Sequence, residues 1–220
     1  GSSNTSDELA QPTPAERQRQ GLEARLDQAG VPPRFQEATM ETCDRYAEED
    51  GKAKALELAR TFAAERGVEQ RGRERFCLLL SGGFGGGKTW LASAIFRELV
   101  AGTRQAGLWR KFYQLIREIQ GTYSPAARQS VDQVLGRFQK VPVLLLDDVG
   151  DLTKSEQSED RRRLLYEILD VRNDHLLPTI ITTNLGSEQL ASQFGARTFE
   201  RILEMAALAG FEGKNLRRES

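Results

Sequence analysis

The stretch Gly82-Gly83-Phe84-Gly85-Gly86-Gly87-Lys88-Thr89 decides the fold. It follows an apolar run at residues 76–80 and precedes a helical pattern at about 88–101. The spacing fits GxxxxGK[ST], in which glycines let backbone N–H groups surround a phosphate and the next helix adds its positive end. Lys88 would then reach the outer phosphates, and Thr89 would offer a hydroxyl to Mg²⁺. The sequence therefore predicts nucleotide contacts along the loop from Gly82 to Trp90.

Short apolar runs alternate with helical periodicity downstream of residue 75. The runs lie at residues 76–80, 108–112 (the weakest), 141–146 and 179–183, and residues 206–211 offer a fifth. The helical segments between them are expected at about 88–101, 112–120, 125–138, 159–174 and 187–193. Apolar runs of this length between helices are typical of buried parallel strands, so the pattern indicates an α/β sheet built of βαβ units.

The region before residue 75 lacks this alternation of apolar runs and helices. Thr13, Pro14 and Glu16 predict a helix start, and Gly30 followed by two prolines predicts its end. We expect an extended segment at 34–42, an amphipathic helix at 55–63 and a solvated loop at 65–75. Three regions follow: a tag remnant and disordered polar lead at 1–12, a helical extension at 13–74, and a catalytic core at 75–220.

Composition excludes several classes of protein. The chain has 220 residues, with 31 Lys+Arg against 32 Asp+Glu, so attraction of the whole molecule to nucleic acid or membranes is not supported. Two cysteines and one histidine supply neither a disulfide framework nor a structural zinc site. No uncharged stretch approaches the ~20 residues that span a bilayer. A reducing, cytoplasmic protein without a membrane partner is the simplest interpretation.

Polar residues end two of the predicted strands. Asp147 and Asp148 follow the run at 141–146, and Asn184 follows the run at 179–183. The carboxyl ends of parallel strands border the ligand crevice of an open sheet, so these side chains are expected beside the phosphates. Asp147 would hold Mg²⁺, mostly through water, and Asp148 would orient or polarise the attacking water. Asn184 would bond the terminal phosphate or that water.

Together, the segments SGGFGGGKTWLASAI, VPVLLLDDVG and PTIITTNL resemble the AAA+ ATPases of the bacterial helicase-loader group, which includes the related IstB transposition ATPases. The resemblance covers about residues 30–218. It implies an αβα sandwich with a five-stranded parallel sheet in the order 5-1-4-3-2 and a reduced or absent lid. It also implies ATP and Mg²⁺ as cofactors, a hexameric replicative helicase and single-stranded DNA as partners, and ATP-dependent assembly into an oligomer or spiral.

The resemblance carries further residue roles. Arg201 matches the arginine finger that a subunit lends to its neighbour, with Arg197 as second choice, and Arg217 matches the sensor that touches the terminal phosphate. Residues 34 and 35 would flank the adenine. There are two departures: Asp148 stands where many AAA+ proteins have glutamate, and Trp90 stands where a smaller polar residue or histidine is common.

A mixture of basic and aromatic residues follows the weak second strand. Arg110, Lys111, Tyr113 and Arg117 are candidates for stacking on bases and contacting phosphates of a single strand. The alternative is that the neighbouring Trp109 belongs to the core and that the basic residues are simply exposed between buried ones.

Four functions compete on these patterns. An ATP-hydrolysing loader of a replicative helicase is preferred. A transposition ATPase that binds duplex DNA, and a nucleotide-gated DNA-binding module with little turnover, are the alternatives. The paired carboxylates and Asn184 disfavour a small-molecule P-loop kinase.

Overall fold

The computed structural model of the chain describes residues 13–48, 52–70, 72–150 and 159–211. The helices are α1 (Pro14–Ala29), α2 (Pro33–Gln36), a 3₁₀ helix (Glu41–Glu48), α3 (Ala53–Glu65), α4 (Lys88–Thr103), α5 (Phe112–Gly121), α6 (Val131–Lys140), α7 (Glu159–Asp174), α8 (Ser187–Phe194) and α9 (Ala196–Met205). The strands are β1 (Val68–Gln70), β2 (Arg73–Arg75), β3 (Cys77–Ser81), β4 (Gly107–Lys111), β5 (Val143–Asp147), β6 (Thr179–Thr183) and β7 (Ala206–Gly210).

Five of these strands form one parallel sheet. Their order is β4-β5-β6-β3-β7, which is the predicted order 5-1-4-3-2 counted from the strand before the phosphate loop. The fold prediction is therefore confirmed, including the fifth strand. The pairing aligns the carboxyl ends of the strands: Lys111 lies opposite Asp147, and Ser81 lies opposite Thr183. Residues that follow these strands are consequently gathered at one edge.

Alternation along the strands divides the core into two layers. On one face, Leu78, Leu80, Val143 and Leu145 pack with helices α1, α3 and α4. On the other face, their neighbours along the same strands pack with helices α5 to α9. Successive side chains of a strand point to opposite faces, so all-apolar strands are stable only when helices cover both.

The upstream region joins the first of these layers. Helix α1 begins with the predicted capping box of Thr13 and Glu16 and ends at Gly30 in the left-handed conformation. Leu26 and Ala29 of α1 and Phe62 of α3 are buried in the same cluster as residues of α4. The upstream helices thus cover one face of the sheet and bring the segment after α1 to its phosphate-loop edge.

Three local predictions were wrong. The segment at 34–42 is not extended, because Pro33 occupies the first position of the short helix α2 and the 3₁₀ helix begins at residue 41. The loop predicted at 65–75 contains the antiparallel hairpin β1–β2, in which Val68 pairs with Arg75 and both are buried. Helix α6 begins at 131 rather than 125, because Ser130 caps it.

The segments predicted as a polar lead (1–12) and as a sensor-bearing tail (212–220) lie outside the described residues. Within the described ranges, no helix is both long enough and apolar enough to cross a membrane.

Candidate active site

The phosphate loop joins β3 to α4, as the motif predicts. Gly87 caps α4 with a φ of 97°, a left-handed conformation that favours glycine. Lys88 is buried, and its ammonium donates to the carbonyl oxygens of Gly82 (2.9 Å) and Gly83 (2.6 Å). The lysine therefore bridges the start of the loop, and its positive charge lies where a bound phosphate needs compensation.

Asp147 is the most buried acid of the site. Its Oδ1 accepts two hydroxyl hydrogen bonds, from Thr89 at 2.8 Å and from Thr182 at 2.6 Å. Its Oδ2 is buried without a hydrogen-bond partner in the described part of the chain, and Lys111 Nζ lies 3.9 Å away. A buried carboxylate oxygen beside a threonine hydroxyl fits an oxygen-ligand site for Mg²⁺, so the predicted pair of Thr89 and Asp147 suits this ion.

Burial and the neighbouring charge of Asp148 raise the pKa of Asp147, and the hydrogen bonds from Thr182 and Thr89 partly oppose them. A bound divalent cation would favour the ionised form, since an opposite charge nearby stabilises a carboxylate. The ionised form of Asp147 is therefore unfavourable in this site unless a bound cation compensates its charge.

Asp148 points into the crevice from a strained turn. Its φ is 56°, a left-handed conformation that aspartate and asparagine adopt far more readily than most residues. The Asp148 N–H donates to Thr182 Oγ1 at 3.0 Å, which fixes this turn to β6. The turn explains the departure from glutamate, because the shorter acid suits this backbone conformation.

Lys111 lines the same crevice as the phosphate loop and Asp148. Its Nζ lies 2.5 Å from Asp148 Oδ2, and both side chains are about one quarter exposed. Burial alone would lower the pKa of Lys111, but the hydrogen bond and the charge of Asp148 raise it overall. Without a bound nucleotide, the Lys111 ammonium is therefore paired with Asp148, the carboxylate that is predicted to activate water.

A crevice of about 570 Å³ joins these groups. Asn184 lines it together with Lys88, Thr89 and Asp148, so the described residues predicted for catalysis at the strand ends meet in one cavity. The upstream segment supplies the rest of the wall: Arg34, Phe35, Arg45 and Tyr46. Arg45, Tyr46 and the catalytic position of Lys111 escaped the sequence analysis. The signal for Lys111 was its place at the end of the strand beside Asp147.

Trp90 links the phosphate loop to that upstream wall. Its indole N–H donates to Thr42 Oγ1 at 2.9 Å, and its ring meets the Phe35 ring edge-on, with 6.4 Å between centroids. Phe35 also packs on Trp109, which is buried in the core. The predicted adenine-flanking pair at 34 and 35 therefore lies at the crevice, and Trp90 has a packing partner there.

The two candidate finger arginines differ in how they are held. Arg201 donates to Asp170 Oδ1 through Nε (3.1 Å) and Nη2 (2.8 Å) and to Glu204 at 3.2 Å. Arg197 is exposed, and its guanidinium lies 5.5 Å from the centroid of the Tyr166 ring. Neither lines the crevice of its own chain. Arg217, the candidate sensor, lies outside the described residues.

The candidate nucleic-acid residues divide into two groups. Arg110 is engaged internally, with hydrogen bonds to the carbonyls of Ala29 and Trp109 and an ion pair to Glu118. Tyr113 is 41% exposed on α5, and the Arg117 guanidinium lies 5.4 Å from its ring centroid. Tyr113 and Arg117 thus form an aromatic and basic surface on α5, which begins directly after Lys111.

The parallel sheet order, the phosphate loop and the paired acids with Asn184 define a P-loop protein of the AAA+ class. The model of the IstB-like ATP binding protein family matches residues 9–209. The chain belongs to this family.

The chain is similar to replicative helicase loaders in sequence and in structure. The replicative helicase loader DnaI of Bacillus subtilis is 30% identical over 152 residues, which cover 64% of this chain and 47% of the relative. A crystal structure of DnaI is 32% identical with a TM-score of 0.66, covering 86% of this chain and 95% of the other. A crystal structure of the DnaC helicase loader is 26% identical with a TM-score of 0.66, covering 82% and 99%. The chain thus spans about half the length of the DnaI relative.

Proposed function

We propose that this chain is the ATPase part of a replicative helicase loader. It binds ATP with Mg²⁺, assembles with further copies on single-stranded DNA in the cytoplasm, and uses hydrolysis to release a hexameric helicase. In this proposal residues 75–220 are the ATPase core, and residues 13–74 are an extension that completes the nucleotide crevice. The observation that carries the proposal is that Lys88, Thr89, Asp148 and Asn184 line one crevice. Buried Asp147 lies next to it and accepts a hydrogen bond from Thr89.

Each residue has a distinct task. Lys88 exchanges its two loop carbonyls for the outer phosphate oxygens, and the loop N–H groups bind the inner phosphates. Thr89 and Asp147 hold Mg²⁺, which when bound compensates phosphate charge. Asp148 orients and polarises the attacking water, and Asn184 bonds that water or the terminal phosphate.

Asp148 is available for this task only when Lys111 releases it. A terminal phosphate in the crevice offers Lys111 a second anion, and a shift of the ammonium towards it would free the carboxylate. The ion pair of 2.5 Å therefore supports a resting state in which ATP-free protein keeps its water-activating group engaged.

The candidate finger is supplied by a neighbouring copy. Arg201, assigned by resemblance, must leave Asp170 to reach a neighbour, whereas exposed Arg197 needs no such exchange. An arginine supplied in trans contributes about 10³-fold or more to the rate of phosphoryl transfer. Tyr113 and Arg117 are the residues proposed to contact single-stranded DNA, since stacking on an aromatic ring beside a cation tolerates any base.

Mixing mutants tests the assembly. Lys88→Ala removes the loop lysine, while Arg201→Ala and Arg197→Ala each remove a candidate finger. Lys88→Ala alone should lose turnover, and so should whichever of Arg201→Ala and Arg197→Ala removes the real arginine finger. Mixing Lys88→Ala with that arginine variant should restore part of the turnover. Turnover should also rise with protein concentration. Activity independent of concentration, with no recovery on mixing either arginine variant, would show that one chain holds a complete site.

The helicase-loader proposal is preferred to a transposition role because the relatives reported above are named helicase loaders. Duplex-DNA filaments that recruit a transposase would favour the alternative.

A further inference from the structure

Two aromatic residues pack against the phosphate loop, and neither has a task in the chemistry proposed above. A Cβ placed on Gly87 would overlap the hydroxyl of Tyr46, so the tip of Tyr46 lies directly against the last glycine of the loop. A Cβ placed on Gly82 would overlap the carbonyl oxygen of Phe211, which follows β7. The Phe211 N–H also donates to Ser81 O at 2.6 Å. Both ends of the loop are therefore in van der Waals contact with these residues.

The two aromatic side chains also support each other. Their rings meet edge to face with centroids 5.1 Å apart. The ammonium of Lys52, which is fully buried, lies 5.1 Å from the Tyr46 ring centroid and 5.3 Å from that of Phe211. Cation–π attraction strengthens when the cation is removed from water. Arg45 donates to the Tyr46 hydroxyl at 3.2 Å from the crevice side. Tyr46 is consequently fixed by contacts on several sides.

We infer that Tyr46 is a positioning residue for ATP: it holds the phosphate loop in its binding conformation and couples the loop to the 3₁₀ helix Glu41–Glu48. The inference rests on the proposed function only in requiring that ATP binds at this loop. Gly87 has a left-handed conformation, and the hydroxyl end of Tyr46 lies so close to it that the Tyr46 ring excludes other loop conformations on that side. A loop held in this way loses little further conformational freedom when the nucleotide binds.

The coupling works in both directions. If the ordered 3₁₀ helix raises the affinity for ATP, then ATP must stabilise the 3₁₀ helix by the same factor. Any ligand that reorders residues 41–48 would therefore change nucleotide affinity without touching the crevice. This makes the upstream wall a regulatory element as well as a binding surface.

The size of the effect follows from backbone ordering. Without the Tyr46 ring, about one residue of the loop must be ordered by ATP itself, which corresponds to on the order of a tenfold weaker affinity. Tyr46→Ala should therefore raise both the Kd for a non-hydrolysable ATP analogue and the KM for ATP about tenfold. The kcat should stay within about twofold, because Lys88 and Asp148 are unchanged.

Two variants separate positioning from general stability. Tyr46→Phe keeps the ring and should recover most of the affinity. Phe62→Ala removes a ring equally buried in the same core layer but on α3, and should lower the free energy of unfolding while leaving KM and Kd unchanged. Unchanged Kd in Tyr46→Ala, no recovery in Tyr46→Phe, or an equal loss in Phe62→Ala would overturn the inference.

Hydrogen exchange of the unmodified protein gives an answer even if Tyr46→Ala fails to fold. Addition of the ATP analogue should slow amide exchange in residues 42–47, because ordering of the loop is transmitted to the 3₁₀ helix through Tyr46. Binding of the analogue without this protection would overturn the coupling. No binding of the analogue at all would instead refute the proposed function.

Discussion

Replacing Asp147 by asparagine should separate folding from metal binding. The asparagine oxygen can still accept both hydroxyl hydrogen bonds that Asp147 Oδ1 receives from Thr89 and Thr182. Its NH₂ group would occupy the position of Oδ2, the atom without a hydrogen-bond partner among the described residues. A donor at that position repels Mg²⁺ instead of attracting it. The substitution therefore keeps the local packing and removes the anion.

The sign of the stability change follows from the pKa of Asp147. Burial and Asp148 raise it, so the ionised form is less favourable in the folded protein than in the unfolded chain, and this cost grows as the pH rises through the folded-state pKa. At pH 7 we expect Asp147→Asn to leave the free energy of unfolding unchanged or to raise it.

Thermal unfolding with and without Mg²⁺ provides the assay. A ligand at 100 times its Kd stabilises the folded state by about 2.7 kcal/mol, which for a chain of this size raises Tm by about 5–10 °C. The unmodified protein should show this shift with ATP and Mg²⁺ and a smaller one with ATP and EDTA. Asp147→Asn should show the same small shift under both conditions, while exposed Asp132→Asn should behave like the unmodified protein.

Two results would contradict this role of Asp147. A retained Mg²⁺-dependent shift in Asp147→Asn would place the metal elsewhere. A loss of more than about 2 kcal/mol in the free energy of unfolding would show that the charge of Asp147 stabilises the fold.

Three further predictions concern single groups. Asp148→Asn should keep ATP affinity and lower turnover by ~10²-fold or more, since asparagine tolerates the left-handed turn but is a poorer partner for water; normal turnover would remove Asp148 from the mechanism. Arg172→Met should lower the free energy of unfolding by about 3 kcal/mol or more in urea titrations, because buried Arg172 donates to the carbonyls of Phe138, Val141 and Pro178; a change below about 1 kcal/mol would contradict this. Burial raises the pKa of both the Cys43 and Cys77 thiols to about 12, because the folded protein favours the neutral thiol. The stability of the fold that depends on neutral thiols is therefore fully present below the ordinary pKa of 9.0 and is lost as the pH rises towards 12. Iodoacetamide at pH 8 should label neither cysteine until urea unfolds the chain, and rapid labelling of the native protein would contradict their burial.

The sheet was predictable because its signals are local. The glycine-rich loop, the all-apolar runs and the polar residues ending them each occupy consecutive positions, and parallel pairing gathers the strand ends at one edge. Even the weak strand β4 was predicted, and in the structure its residues Leu108 and Trp109 are buried. The sheet order came from resemblance rather than from spacing.

The upstream wall of the crevice was not predictable from local pattern. Arg45 and Tyr46 lie in a 3₁₀ helix, and Tyr46 packs on Phe211, which lies 165 residues further along the chain. Strand register places Lys111 opposite Asp147, which its position at the end of the predicted strand could have indicated. Its contact with nucleic acid stays a prediction. The contact between Tyr46 and Phe211 joins distant parts of the chain and has no signature in a single sequence.

Gel filtration with the hexameric helicase of the same organism can detect the proposed ATP-dependent complex between this chain and a replicative helicase. The protein should co-migrate with the helicase when ATP and single-stranded DNA are present. Lys88→Ala, which loses the loop lysine, should not show this ATP-dependent complex. Failure to co-migrate under any nucleotide condition, or a complex identical with and without ATP, would contradict the proposed loader function.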